Sequence, residues 1–141
     1  MARITNNLAT LYVDEKRYDQ AEALYLRSLN IREKTVGPQH PDVAVIFNNL
    51  AELYVMQHRY AEAEPLYQRA LAIRVEHLGP NHPDLARTLN GYALLLRKTK
   101  RKSEASLMRT RAKEILARSA RSVSHTVDVR DRAREREAGR K

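Results

Sequence analysis

Asn6-Asn7-Leu8-Ala9 returns as Asn48-Asn49-Leu50-Ala51 and, altered, as Asn90-Gly91-Tyr92-Ala93, so the chain repeats itself every 42 residues. A unit of this length cannot bury its own apolar face. Repeated units of this size stack as supersecondary modules that share one continuous core. The recurrence extends well past the tetrapeptide, to Leu11 and Leu53, Tyr12 and Tyr54, Arg17 and Arg59, Tyr18 and Tyr60, Ala21 and Ala63, and Glu22 and Glu64. Further along come Leu24-Tyr25 and Leu66-Tyr67, Leu29 and Leu71, and Ile31-Arg32 and Ile73-Arg74, and a Gly-Pro-x-His-Pro-Asp segment at both 37–42 and 79–84. At 141 residues the chain holds about three such units, a short array.

Within one unit the apolar residues fall into two helical stretches. Val43, Ile46, Phe47, Leu50, Ala51, Leu53 and Tyr54 recur at spacings of three and four, as one face of a helix requires, and predict helix A over about 43–56. Ala63, Leu66, Tyr67, Ala70, Leu71, Ile73 and Leu78 do the same for helix B over about 61–78. Gly79 suits the left-handed end of helix B, and Pro80 cannot continue it. His82-Pro83-Asp84 opens the next helix, with proline at a position whose missing N–H is no loss and a carboxylate at the positive end of the dipole. The short segment around His58-Arg59-Tyr60 joins the two helices into an antiparallel hairpin. Small residues recur where helices must approach closely, at Ala9, Ala51 and Ala93 and at Ala21, Ala63 and Ala105. With no sustained strand-like alternation, the fold class is all-α.

Cysteine is absent, which excludes disulfide staples, thiolate zinc sites and a cysteine nucleophile. The N-terminus carries no charged-then-apolar leader pattern. The longest apolar run, Tyr92 to Leu96, is far below the roughly 20 residues needed to cross a bilayer. No transmembrane segment is expected, and the default is a soluble, cytoplasmic protein. The net charge of +9 is unevenly placed: residues 1–96 hold ten Lys/Arg against eleven Asp/Glu, whereas residues 97–141 hold sixteen against six. Electrostatic function, if any, belongs to the C-terminal third.

The second unit resembles the tetratricopeptide repeat in the long, 42-residue form found in kinesin light chains and many bacterial repeat proteins. The residues that carry the resemblance are Asn48-Asn49-Leu50-Ala51-x-Leu53-Tyr54, then Arg59-Tyr60-x-Glu62-Ala63-Glu64-Pro65-Leu66-Tyr67-x-Arg69-Ala70-Leu71-x-Ile73, then Gly79-Pro80-x-His82-Pro83-Asp84. The resemblance implies a right-handed superhelical stack of helical hairpins, an α-solenoid, with units at 1–36, 37–78 and 79–117. The first unit has Ala23 in place of Pro65. In the third, Lys102, Arg109 and Lys113 stand where Tyr60, Tyr67 and Leu71 stand in the second, and Ala105, Met108, Ala112, Ile115 and Leu116 keep a stripe on one face only. That is the pattern of a degenerate capping helix whose outer face meets water. Residues 118–141 lie outside the resemblance and are expected to form a basic, disordered tail or a solvated helix. At the other end the chain opens inside a helix A, and its uncovered face is a candidate for self-association.

Catalysis finds little support. His40 and His82 sit beside Asp42 and Asp84 at one repeat position, which reads as helix-start chemistry occurring twice. His58, His77 and His125 lack clustered carboxylates at metal-ligand spacing. No glycine-rich phosphate loop is present, so neither an enzyme nor a metal or other cofactor is expected. The resemblance points instead to a non-catalytic protein–protein interaction module or scaffold, whose helix A residues line a concave groove for an extended peptide or a partner helix. The matching positions here are Arg3, Asn6, Asn7 and Thr10 in the first unit, Val45, Asn48, Asn49 and Glu52 in the second, and Arg87 and Asn90 in the third, where Gly91 replaces the second asparagine. Asparagine offers donors and acceptors alike and can satisfy a peptide backbone without demanding one sequence; alternatively one asparagine of each pair bridges adjacent helices. The basic third suggests an alternative function, binding of a polyanion such as nucleic acid or an acidic membrane surface. No aromatic residues interleave there to stack bases, so nucleic acid is the less expected partner.

Overall fold

The computed structural model describes residues 2–138, with side chains throughout except at 2–4, 6, 126–129, 131 and 137–138. These residues form α1 (Ala2–Asp14), α2 (Tyr18–Val36), α3 (Pro41–Met56), α4 (Tyr60–Leu78), α5 (Asp84–Lys98) and α6 (Lys102–Ala138). They pair as three antiparallel hairpins, α1 with α2, α3 with α4 and α5 with α6. The hairpins stack through α2 on α3 and α4 on α5, and α1, α3 and α5 lie side by side along one face. The result is an α-solenoid.

Each boundary has a local cause. Gly37 and Gly79 end α2 and α4 at φ of 93° and 84°, a conformation that glycine adopts without steric cost. The imidazole Nδ1 of His40 accepts the backbone N–H of Asp42 at 3.1 Å, and His82 repeats the contact with Asp84 at the same distance. Each histidine is therefore a helix cap, satisfying an N–H that a helix start leaves without a partner. Inside the hairpins the turns reverse through Lys16, His58 and Lys100, all at φ near 60° and spaced by the repeat period. Here Arg17, Arg59 and Arg101 each donate a backbone N–H to the carbonyl five residues earlier, at 2.8 Å.

One apolar cluster runs through all three hairpins, from Ala9 and Tyr25 through Leu50, Leu53 and Tyr67 to Tyr92, Leu96 and Ala105. Both recurring alanine series are fully buried, which lets paired helices approach closely. Leu50 and Leu53 are buried by the hairpin before them, whereas their counterparts Leu8 and Leu11 are 40% and 52% exposed. The apolar stripe of α6 is buried at Ala105, Ala112 and Ile115, but Leu116, expected on that stripe, is exposed. After residue 117, where a disordered tail or a solvated helix was expected, the structure has helix. The helix continues to Ala138, and every side chain described beyond Ser119 is exposed. The segment 118–138 has neither glycine nor proline and is rich in Ala, Arg and Glu, which favour helix even without packing.

Polar clamps tie neighbouring hairpins together. Glu22 on α2 accepts the Tyr54 hydroxyl at 2.8 Å and the Arg59 guanidinium at 2.7 Å. Glu64 on α4 does the same with Tyr92 at 2.8 Å and Arg101 at 2.6 Å. Arg74, buried, donates to the Asp84 carbonyl and the Thr88 hydroxyl, both at 2.8 Å, and so holds the start of α5. The Arg59 hydrogen bond holds the Glu22 carboxyl below its ordinary value of 4.5, against the opposing effect of burial. A depressed carboxyl stabilises the fold fully above its unfolded value and loses that contribution as pH falls through the folded one. Thermal midpoints are therefore expected to drop on acidification below about pH 4.5, and Glu22→Gln should flatten that acid limb while lowering the neutral-pH midpoint. Equal acid sensitivity of parent and variant in melts from pH 7 to pH 3 would remove Glu22 as the cause.

Candidate functional site

The face formed by α1, α3 and α5 carries a groove of about 360 Å³, bounded by Asn7, Thr10 and Asp14 on α1, Val45, Asn49, Glu52 and Met56 on α3, and Arg87 on α5. Tyr25 of α2 closes its floor with Val13 and Leu53. These side chains converge because α1, α3 and α5 occupy the same place in successive hairpins, so equal repeat positions fall into rows.

A polar network organises the middle of the groove. Arg87 donates to Asn49 Oδ1 at 3.0 Å and to Glu52 Oε2 at 3.0 Å. Beneath it, Asn48 Nδ2 donates to Glu52 Oε1 at 2.8 Å. The Arg87–Glu52 pair is partly exposed, so its direct contribution to stability is small. Its main effect is to fix the orientation of Glu52 and Asn49. At the α1 end the Tyr25 hydroxyl meets Thr10 Oγ1 at 3.0 Å. Burial pushes the Tyr25 hydroxyl above its ordinary value, so it stays protonated and able to donate. Against these polar groups Val45 is half-buried and Met56 is 51% exposed, an apolar strip beside the hydrogen-bonding row.

Of the residues singled out from sequence, Asn7, Thr10, Val45, Asn49, Glu52 and Arg87 meet in this groove. Asn48 lies under it and is 1% exposed; its Oδ1 is buried without a hydrogen-bond partner. Asn90, the counterpart of Asn48, is exposed and outside the groove because no further hairpin covers it among the described residues. The side chains of Arg3 and Asn6 lie outside the described residues. Val13, Asp14, Tyr25, Leu53 and Met56 complete the lining without having been named as site residues. Tyr25 could have been found from its repeat spacing, since its hydroxyl meets Thr10 of α1 at the groove. No group of three or more potential metal ligands occurs among the described residues.

Stacked helical hairpins with a lined face define a helical-repeat interaction scaffold, a fold that typically carries no catalysis. The tetratricopeptide repeat family model matches residues 1–74 and 49–118, and the chain belongs to that family. Comparison with curated proteins gives no match. Among solved structures the chain is similar to BtubC (BKLC) from P. vanneervenii, with 31% identity and a TM-score of 0.78 over 84% of this chain and 48% of that one. It is also similar in fold to nearly identical TPR-like repeats ascribed to a kinesin light chain of Podosopora anserina, at 23% identity and TM-score 0.75, over 83% of this chain and 56% of that one. A third likeness, again of fold, is to the N-terminal domain of stress-induced protein-1 (STI-1) from C. elegans, at 17% identity and TM-score 0.64, over 81% and 83% of the two chains. The repeats thus share their fold with the kinesin light chain repeats, and the chain spans about half the length of the first two structures. No helix among the described residues is long and apolar enough to cross a membrane.

Proposed function

We propose that the α1/α3/α5 groove holds an extended peptide or a partner helix, and that the chain is a non-catalytic scaffold. The observation that carries this reading is the convergence of Asn7, Asn49, Glu52 and Arg87 beside the apolar strip of Val45 and Met56. Amide and carboxylate groups suit the N–H and C=O groups of a peptide backbone, and the strip suits an apolar side chain. Because Glu52 and Arg87 neutralise each other, Asp14 is the one charge left over among the described residues of the lining, and recognition rests mainly on hydrogen bonds and apolar area.

The test is a screen of fluorescent peptides against the parent and Asn7→Ala/Asn49→Ala at low and moderate salt. Two lost hydrogen bonds of about 0.5–1.5 kcal/mol each predict roughly tenfold weaker binding. Peptides that weaken by that amount on mutation, yet persist in moderate salt, support the groove. Peptides indifferent to both substitutions would place recognition elsewhere.

A further inference from the structure

A trough of about 660 Å³ lies between α5 and α6 on the third hairpin, roomier than the α1/α3/α5 groove. Arg97, Lys98, Lys102, Arg109 and Lys113 line it, together with Leu94, Ala105, Ser106 and Thr110. No carboxylate belongs to its lining, and among the described residues none of these five cations is paired with one. Five unneutralised cations in one concavity produce a strong, focused positive potential.

The position of this trough within the repeat says what shape it fits. The same surface of the first hairpin receives α3, and that of the second receives α5. In those hairpins the surface presents Glu22, Tyr25 and Leu29, then Glu64, Tyr67 and Leu71; in the last it presents Ser106, Arg109 and Lys113. Each earlier glutamate accepts a tyrosine from the incoming helix and an arginine from the turn that follows it. Here the acceptor is lost and two cations replace the tyrosine and the leucine, so the charge preference of a helix-receiving surface is reversed. Leu94, 45% exposed at its edge, keeps an apolar contact available.

We infer that this trough is a second docking site, which receives an amphipathic helix of a partner protein with acidic residues flanking a leucine-type apolar stripe. The shape comes from the repeat geometry and the chemistry from charge complementarity. A cap that only kept the last hairpin soluble would need polar residues, not five cations without a single carboxylate among them. The site is separate from the α1/α3/α5 groove and does not depend on it.

The probe is a labelled helical peptide with leucines at i, i+3, i+7 and glutamates on either side, compared with its lysine-for-glutamate counterpart, a poly-dT oligonucleotide and vesicles containing phosphatidylserine. Binding is measured by fluorescence anisotropy, and for vesicles by co-sedimentation. The full chain, Arg109→Glu/Lys113→Glu and Asn7→Ala/Asn49→Ala are compared after circular dichroism shows equal helix content. The expected result is saturable binding of the acidic helix alone, weakened at least tenfold by Arg109→Glu/Lys113→Glu, declining with salt and unchanged by Asn7→Ala/Asn49→Ala. Tighter binding of poly-dT or vesicles than of the acidic helix overturns it, as does indifference to the charge reversal. A light-scattering mass showing that the trough is closed by a second copy of the chain overturns it too. Should Arg109→Glu/Lys113→Glu lose helix content, Arg109→Gln/Lys113→Gln takes its place with the same expectation.

Discussion

Alanine at position 67 is expected to lower the unfolding free energy by about 3–5 kcal/mol, the range for deleting a large buried aromatic side chain. Tyr67 is among the largest fully buried side chains, and its ring stacks on Tyr92 with centroids 6.0 Å apart and planes 19° from parallel. It belongs to the cluster that joins the second hairpin to the third, so the cavity would open at their interface and not inside one hairpin. A solenoid is held together by nearest-neighbour interfaces, so such a cavity also weakens coupling along the array. Urea unfolding of the variant, followed by both tyrosine fluorescence and circular dichroism, measures the loss. A loss under about 1 kcal/mol would mean that the interface closes over the gap.

Restoring the repeat motif at Gly91 is expected to do harm. Asparagine there would reproduce Asn49, and substitutions toward a repeat consensus commonly stabilise. A Cβ at residue 91, however, would stand 2.9 Å from both Cε1 and the hydroxyl oxygen of Tyr67. Tyr67 is enclosed and cannot swing aside cheaply. In the first hairpin the corresponding Tyr25 hydroxyl is drawn to Thr10, but the second hairpin has Glu52 at that position, already engaged by Asn48 and Arg87. The phenol end of Tyr67 lies instead against the α5 backbone, in the space that glycine leaves. Overpacking of about 1–3 kcal/mol should exceed the gain of somewhat under 1 kcal/mol from replacing a helical glycine. Gly91→Asn is therefore expected to melt lower than the parent, and Tyr67→Leu should relieve part of that penalty in a double-mutant cycle. If Gly91→Asn melted higher, the close approach of Tyr67 to α5 would be refuted.

The period, the three-and-four spacing of apolar residues and the Gly-Pro-x-His-Pro-Asp segments made the hairpins legible in the sequence, because each depends on residues near one another in the chain. The groove was legible only in part. Asn48 and Asn90 hold the same repeat position, yet one is buried and the other exposed, since burial is decided by whether a further hairpin is stacked above. The clamps were harder still to read. Glu22 takes its hydroxyl from Tyr54, but Glu64 takes it from Tyr92, the counterpart of Leu50 and one helical turn earlier, so equal function sits at unequal positions. The far end of α6 was ambiguous because its charges and its lack of large apolar residues suit solvent, while its helix-forming composition needs no partner to be satisfied.

That overhang bears on how the molecule must be observed. At 1.5 Å per residue α6 is about 55 Å long, against about 28 Å for α4, so nearly half of it stands clear of the stack as a cantilever. An unsupported helix has only its own hydrogen bonds and frays gradually with heat. The magnitude of the negative ellipticity at 222 nm should accordingly decline before the hairpins separate, and amide exchange should be fast beyond residue 120 while the interior of α3 to α5 stays protected. Helix content and core integrity are therefore distinct readouts in this protein, and a melt followed by one alone would misplace the transition of the other.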